Sequence, residues 1–175
     1  FNTVRWKNFL STGNTFTEIQ LDQNPSTLVV GENGAGKSTI LDALCFVLFN
    51  KPFRQISKLQ LLNSINQREA EVEVEFTTQN KKVKIIRGIK PNKFEIYIDD
   101  VMVNQNANAK DYQKHLEQQI LKFNYRSFTQ VVILGSSTFV PFMQLNSKAR
   151  REVVEDILDI KIFLSLIHIS EPTRR

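Results

Sequence analysis

The feature that most limits the possible folds of this chain is a glycine loop set between two apolar segments. The loop, Gly31–Thr39, satisfies the pattern G-x-x-x-x-G-K-[ST]. Residues 27–30 before it are apolar and rich in β-branched side chains, which predicts a buried strand. Residues 38–49 after it are apolar on nearly every side, which predicts a buried helix that ends before Pro52. Strand, loop and helix in this order predict a P-loop domain of the α/β class.

The residue types in this loop suit the binding of phosphate groups. Glycines allow positive φ, so that backbone N–H groups can turn inward around phosphate oxygens. The N-terminus of the following helix adds unpaired N–H groups and the positive end of the helix dipole. Lys37 can reach the β- and γ-phosphates, the Ser38 hydroxyl is placed to bind Mg²⁺, and Thr39 can add a phosphate contact.

Nucleotide hydrolysis also requires an acid at the end of a buried strand, to hold Mg²⁺ and position water. The candidates are Asp99 and Asp100, which follow residues 94–98. Polar and apolar residues alternate there, as in a half-exposed strand, so a hairpin turn is favoured over a Walker B acid. The alternative is a complete small P-loop kinase or NTPase that uses Asp99 or Asp100 to hold its Mg²⁺.

The rest of the chain reads mainly as strands followed by helices. Glutamates alternate with apolar residues from Glu69 to Phe76, a period of two that predicts a strand. Spacing and turn residues predict further strands at 3–9, 15–21, 82–89, 94–98 and 101–103, and a buried strand at 129–134. Helices are predicted at 110–121 and from Ser147, which is expected to cap the last one. The strands after Glu69 form an antiparallel meander.

The charge of the chain permits contact with a polyanion but does not establish it. There are 23 basic and 18 acidic residues, a net charge of +5, which is also an ordinary charge for solubility. Six of the basic residues cluster on the predicted meander: Lys81, Lys82, Lys84, Arg87, Lys90 and Lys93. This cluster is either a solvated face or a strip that follows the phosphates of duplex DNA.

Cysteine usage and hydropathy narrow the class of protein further. The single cysteine, Cys45, excludes an internal disulfide framework and a cysteine zinc cage. No apolar run approaches the ~18 residues of a membrane span, and the chain opens without a leader segment. The sequence therefore predicts a cytoplasmic protein with no membrane partner.

Five segments, in their order and spacing, resemble the amino-terminal ATPase lobe of the SMC-like recombination and repair ATPases. This family includes bacterial SbcC and the large subunit of the recombination endonuclease of tailed phages. The segments are residues 4–11, the P-loop, and residues 41–43, 48–54 and 150–158. The resemblance implies an ABC-type ATPase head split by a long coiled coil, with the signature motif, Walker B acid and switch histidine in a carboxy-terminal lobe.

The resemblance also implies how the chain is divided. Residues 1–146 are expected to form the amino-terminal lobe of the head, with its meander, and residues 147–163 the root of the coiled coil. Residues 164–175 break the helical pattern and place Pro172 near the end, so we expect a non-native read-through tail. The chain is then a fragment, which explains why a clear Walker B acid is missing.

Site residues and cofactors follow from matching positions. The resemblance implies that ATP and Mg²⁺ bind at Ser11 and at Asn33, Gly34, Ala35, Gly36, Lys37, Ser38 and Thr39. Cellular members often carry an arginine where this chain has Leu10, and residues 63–65 fall where the family loops near the nucleotide. Ser136 occupies the position of the Q-loop glutamine, which helps to hold Mg²⁺ in the family. No catalytic residue is expected within this chain.

The implied function is that of a DNA-repair ATPase. ATP is expected to bind between the P-loop of one subunit and the signature motif of another, so that ATP binding and homodimerisation are linked. A metal-dependent nuclease subunit is expected at the coiled-coil root, and ATP hydrolysis is expected to gate its access to ends of double-stranded DNA, without regard to sequence. A second alternative is an SMC-type chromosome-tethering head that has no nuclease partner.

Overall fold

A computed structural model describes residues 1–103, 109–133 and 141–158 of the chain. The chain divides into two units, residues 1–113 and residues 114–175. Ser136, which is predicted at the Q-loop position, and the predicted tail 164–175 lie outside the described residues. Among the described helices, none is long and apolar enough to cross a membrane.

The first unit is built on a six-stranded sheet in which every pair of neighbours is antiparallel. Its strands are β1 Thr3–Lys7, β2 Thr17–Gln20, β3 Ala70–Thr78, β4 Lys81–Ile89, β5 Lys93–Ile98 and β6 Val101–Met102. Their spatial order is β2-β1-β3-β4-β5-β6. The predicted meander and the two amino-terminal strands are thus confirmed. The alternation is clearest in β1, where Val4 and Trp6 are buried between partly exposed neighbours.

Helix α1, Thr39–Phe49, covers one face of this sheet. The apolar residues of β3, Val72 and Val74 among them, are fully buried on the sheet. Every residue of α1 from Asp42 to Phe49 is also buried, as the unbroken apolar pattern predicted. The glycine loop leads directly into this helix. The packing of α1 on β1, β3 and β4 therefore sets the position of the loop.

The opposite face of the sheet carries a ladder of ion pairs. Glu73 on β3 is only 5% exposed and lies between Arg5 Nη2, at 2.7 Å, and Lys84 Nζ, at 3.1 Å. Burial raises the pKa of Glu73, but the hydrogen bonds from Arg5 and Lys84 outweigh it and hold that pKa below its ordinary value. Further pairs join Lys93 to Glu71 and Lys82 to Glu75. Three lysines of the predicted basic cluster therefore face glutamates of the same sheet.

The predicted buried strand at residues 27–30 is wrong. These four residues form neither helix nor strand, and Leu28 and Val30 are 87% and 81% exposed. The physical reason is the lack of a neighbour: the described sheet is entirely antiparallel, its edges are β2 and β6, and neither edge pairs with these residues. Without a described strand alongside, their backbone groups have no sheet partner among the described residues.

The predicted buried strand at residues 129–134 is also wrong. Thr129 and Gln130 belong to helix α3, Tyr125–Val131, while residue 134 lies outside the described residues. The helix is started by Asn124, whose side-chain oxygen accepts a hydrogen bond from the Ser127 N–H at 2.9 Å. An N-cap of this kind satisfies one of the free amides of the first turn, and it outweighs the weak strand preference of the β-branched residues that follow.

The other two predicted helices are confirmed. Residues 110–121 form helix α2, Ala109–His115, which continues as a π-helix over Leu116–Leu121. The last helix, α4, spans Ser147–Ile157, but its cap is one residue earlier than predicted. The Asn146 side chain accepts a hydrogen bond from the Ala149 N–H at 2.8 Å, so Asn146 takes the role expected of Ser147. The expected continuation to residue 163 lies outside the described residues.

Candidate phosphate-binding site

The glycine loop has the backbone conformation that its composition predicted. Gly34 and Gly36 have φ of +90° and +89°, values that side-chain-bearing residues rarely adopt. The loop ends where α1 begins at Thr39, so the positive end of the helix dipole lies at the loop's end. Turned amides beside a helix N-terminus provide a concentration of positive partial charge that suits an anion.

Lys37 is the cation of this loop. Its Nζ donates hydrogen bonds to the carbonyl oxygens of Gly31 and Glu32, each at 2.7 Å. These two bonds hold the ammonium group over the loop, where its charge adds to that of the turned amides. Since both acceptors are exposed main-chain carbonyls, water can replace the lysine there at little cost, and the ammonium is free to exchange them for phosphate oxygens.

A cavity of about 610 Å³ lies against the loop, in the size range of small-ligand sites. Of the eight residues predicted to bind the nucleotide, all except Ala35 line it. The residues that line this cavity are Leu10, Ser11, Asn33, Gly34, Gly36, Lys37, Ser38, Thr39, Arg54, Gln60, Leu62 and Ser64. The structure thus brings the predicted residues of two separate segments, Ser11 and the glycine loop, to one place.

Ser11 lies close to the second left-handed glycine. A Cβ atom added to Gly36 would be 3.6 Å from Ser11 Oγ and 3.5 Å from Thr39 Oγ1. The two hydroxyl groups therefore flank the backbone of Gly36. This arrangement gives an anion at the loop two side-chain hydrogen-bond donors in addition to the backbone amides.

Arg54, Gln60 and Leu62 also line the cavity, although the sequence predicts no role for them. They belong to the segment after α1, which contains only a short 3₁₀-helix, Lys58–Leu61. Ser64, which lies in a segment expected near the nucleotide, is placed at the cavity as predicted. The loop has no periodic pattern, so only the family resemblance, and not the residues themselves, indicated that part of it lies near the P-loop.

A buried carboxylate fixes Arg54. Asp42, in the first turns of α1, is fully buried, and its Oδ1 accepts hydrogen bonds from the Phe53 and Arg54 N–H groups, each at 3.1 Å. Its Oδ2 lies 2.6 Å from Arg54 Nε. One aspartate thus holds both the backbone and the guanidinium of Arg54 at the cavity. The signal was present in the sequence: Asp42 is the one charged residue between Thr39 and Phe49.

Asp99 and Asp100, the alternative magnesium acids, lie elsewhere. They form the two-residue turn between β5 and β6, with φ of 50° and 63°, the values of a type I′ hairpin. Asp99 Oδ1 accepts a hydrogen bond from the Lys82 N–H at 2.9 Å. Neither aspartate lines the cavity, and the hairpin turn predicted for them is confirmed.

The fold, with its glycine loop, buried helix and antiparallel sheet, is that of a P-loop ATPase head of the α/β class. The chain belongs to the family described as AAA domain, whose profile matches residues 3–167.

Two curated relatives and one solved structure extend this result. Exonuclease subunit 2 of Enterobacteria phage T4 is 46% identical over 159 residues, which are 91% of this chain and 28% of that protein. The DNA double-strand break repair Rad50 ATPase of Thermoplasma volcanium is 25% identical over 90% of this chain and 17% of its own length. One solved structure comes from work on ATP-driven dimerization and DNA-stimulated activation of SMC ATPases. The match covers 89% of this chain and 98% of that chain, with a TM-score of 0.61 and 21% identity. The resemblance to SMC-like repair ATPases is thus confirmed, and the chain spans less than a third of these curated relatives.

Proposed function

We propose that this chain is the ATP-binding part of a DNA double-strand-break repair and recombination ATPase. The observation that carries the proposal is the cavity in which two left-handed glycines, the N-terminus of α1, Lys37 and the Ser38 hydroxyl meet. Turned amides and one ammonium group bind the phosphates of ATP, and the relatives include a Rad50 ATPase.

Within this proposal the residues have distinct roles. The amides of the loop from Asn33 to Thr39 surround the phosphates, Lys37 contacts the outer phosphates, and Ser11 adds a hydroxyl donor. Ser38 supplies one oxygen to Mg²⁺, and the nucleotide supplies others. None of the described residues that line the cavity is acidic, so Mg²⁺ is expected to bind together with ATP and not by itself. Mg²⁺ neutralises charge on the phosphates when bound.

The proposal includes a second lobe that completes the site. Residues 27–30 run directly into the glycine loop, yet Leu28 and Val30 are almost fully exposed. Apolar residues this exposed beside a ligand site favour a partner surface. We expect that surface to come from a carboxy-terminal lobe, with ATP held between two subunits of a homodimer. Hydrolysis would need an acid from that lobe, so this chain alone is expected to bind ATP and hydrolyse almost none.

The remaining partners are proposed from the relatives. One relative is named as a subunit of an exonuclease, which supports a metal-dependent nuclease as partner and ATP-gated processing of DNA ends. Contact with double-stranded DNA is expected to be independent of sequence. A protein that processes DNA in this way is expected in the cytoplasm. If the gene belongs to a phage, this is the cytoplasm of the host cell.

One prediction separates this function from that of a small kinase or NTPase. The double variant Asp99→Asn, Asp100→Asn is expected to bind Mg²⁺–ATP with unchanged affinity in calorimetry, because both aspartates lie in a hairpin turn and not at the cavity. A loss of Mg²⁺-dependent binding would revive the Walker B interpretation. The matched change Asp42→Asn weakens the ion pair and hydrogen bonds that hold Arg54 at the cavity. It is expected to lower the affinity for Mg²⁺–ATP.

A further inference from the structure

Two loops meet along one side of the cavity. The first, residues 8–14, carries Ser11, and the second, residues 61–66, carries Ser64. Their backbones are joined by hydrogen bonds from the Leu10 N–H to Leu61 O, at 2.7 Å, and from the Asn63 N–H to Asn8 O, at 2.9 Å. A β-bridge between Phe9 and Leu62 completes the junction.

The side chain of Asn63 is the centre of this junction. It is 6% exposed, and its Nδ2 donates to Leu10 O at 3.0 Å and to Thr12 O at 3.1 Å. Its Oδ1 accepts from the N–H groups of Ile65 and Asn66, each at 3.0 Å. Both donors and both acceptor sites of the amide are therefore used. The donors hold the first loop, and the acceptor shapes the second.

The segment that Asn63 holds is strained. Leu10 has a φ of 52°, a left-handed conformation that is unfavourable for a side-chain-bearing residue. Such a residue keeps this conformation only where its surroundings fix it. The carbonyl of Leu10 is fixed by Asn63 Nδ2 and its N–H by Leu61 O. Without the Asn63 donors, the loop is free to relax.

Ser11 lies between the two residues whose carbonyl groups Asn63 binds. Its hydroxyl is also the group that approaches Gly36 of the glycine loop. We propose that Asn63 is a positioning residue of the nucleotide site, which acts by holding the Leu10–Thr12 segment so that Ser11 faces the phosphates. This inference rests on the proposed binding of ATP, and Asn63 does not itself line the cavity.

The test is a double-mutant cycle on the chain with Mg²⁺–ATP as the probe, read by calorimetry. Asn63→Asp keeps the acceptor for Ile65 and Asn66 but loses both donors to the first loop, so it is the variant expected to fold. Ser11→Ala removes the group that is positioned. Each change alone is expected to weaken ATP binding about tenfold, the effect of losing one hydrogen bond to a charged group.

The decisive quantity is the effect of Asn63→Asp in a chain that already carries Ser11→Ala. If Asn63 acts through Ser11, its substitution weakens ATP binding clearly less in that background than in the unaltered chain. Any repulsion between the new carboxylate and the phosphates is the same in both backgrounds and cancels in the cycle. Val83→Ala, a buried change in β4 away from the cavity, is the control for a loss of stability alone and should leave ATP affinity unchanged.

Two results would overturn the inference in different ways. Equal effects of Asn63→Asp in both backgrounds, or no effect in either, contradict the positioning role while the proposed function stands. Failure of the unaltered chain to bind Mg²⁺–ATP contradicts the proposed function itself, and the inference falls with it. Urea unfolding of each variant shows that the comparison is made on folded chains.

Discussion

Replacing Lys37 with alanine is expected to weaken the binding of Mg²⁺–ATP by at least about 100-fold. Among the described residues that line the cavity, Lys37 is the only lysine, and hydrogen bonds between charged partners contribute about 1.5–3 kcal/mol each. Loss of two such bonds corresponds to roughly two decades in affinity. Calorimetric titration of the variant with Mg²⁺–ATP measures the effect directly.

The control for this variant is Lys81→Ala, which removes the same charge from β4, far from the glycine loop in sequence and not at the cavity. It should bind Mg²⁺–ATP as the unaltered chain does. Lys37 donates only to the exposed carbonyls of Gly31 and Glu32, so its loss should change the free energy of unfolding by no more than about 0.5 kcal/mol. Equal ATP affinities for the two variants would contradict the assignment of the site.

Replacing Arg87 with methionine is expected to lower the free energy of unfolding by about 3 kcal/mol. The side chain is only 4% exposed. Its Nε donates a hydrogen bond to Val47 O at 3.0 Å, and its Nη2 donates one to Gln113 Oε1 at 2.7 Å. The guanidinium also lies 3.6 Å from the centroid of the Phe94 ring. Methionine fills the space but loses the hydrogen bonds to the Val47 carbonyl and to Gln113 Oε1, and bonds from a charged group contribute about 1.5–3 kcal/mol each. Urea unfolding measures the difference.

Lys82→Met on the same strand provides the comparison. Its side chain is 52% exposed and lies 3.6 Å from Glu75, so its loss should cost less than about 1 kcal/mol. Arg87 joins the carboxyl end of α1 to β4 and to Gln113, and a cation at that end of a helix is also favoured by the helix dipole. Equal losses of stability in the two variants would contradict this role of Arg87.

The elements that the sequence predicted correctly are those in which a local pattern is enough. The alternation around Val72 and Val74 marks one buried face of β3, and the unbroken apolar run marks the buried helix α1. Glycine spacing predicted the left-handed Gly34 and Gly36. In each case a few neighbouring residues contain the whole physical reason for the structure.

The errors arose where structure depends on distant residues or on a single cap. The apolar residues 27–30 resemble a buried strand, but a strand needs a neighbour, and none of the described strands pairs with them. Asn124 caps helix α3 through one hydrogen bond, and this helix includes residues 129–131, which were expected to form a strand. Gln60 and Leu62 were not assigned to the site, because long-range backbone pairing places their loop at the cavity.

The most direct test of the central claim is a titration of the ¹⁵N-labelled chain with Mg²⁺–ATP, followed by amide resonances. If the glycine loop binds the phosphates, the largest shifts fall on residues 34–39 and on Ser11, and the amides of β4 and β5 change little. Largest shifts in the meander, or no change at saturating ATP, would contradict the claim that this loop binds the nucleotide.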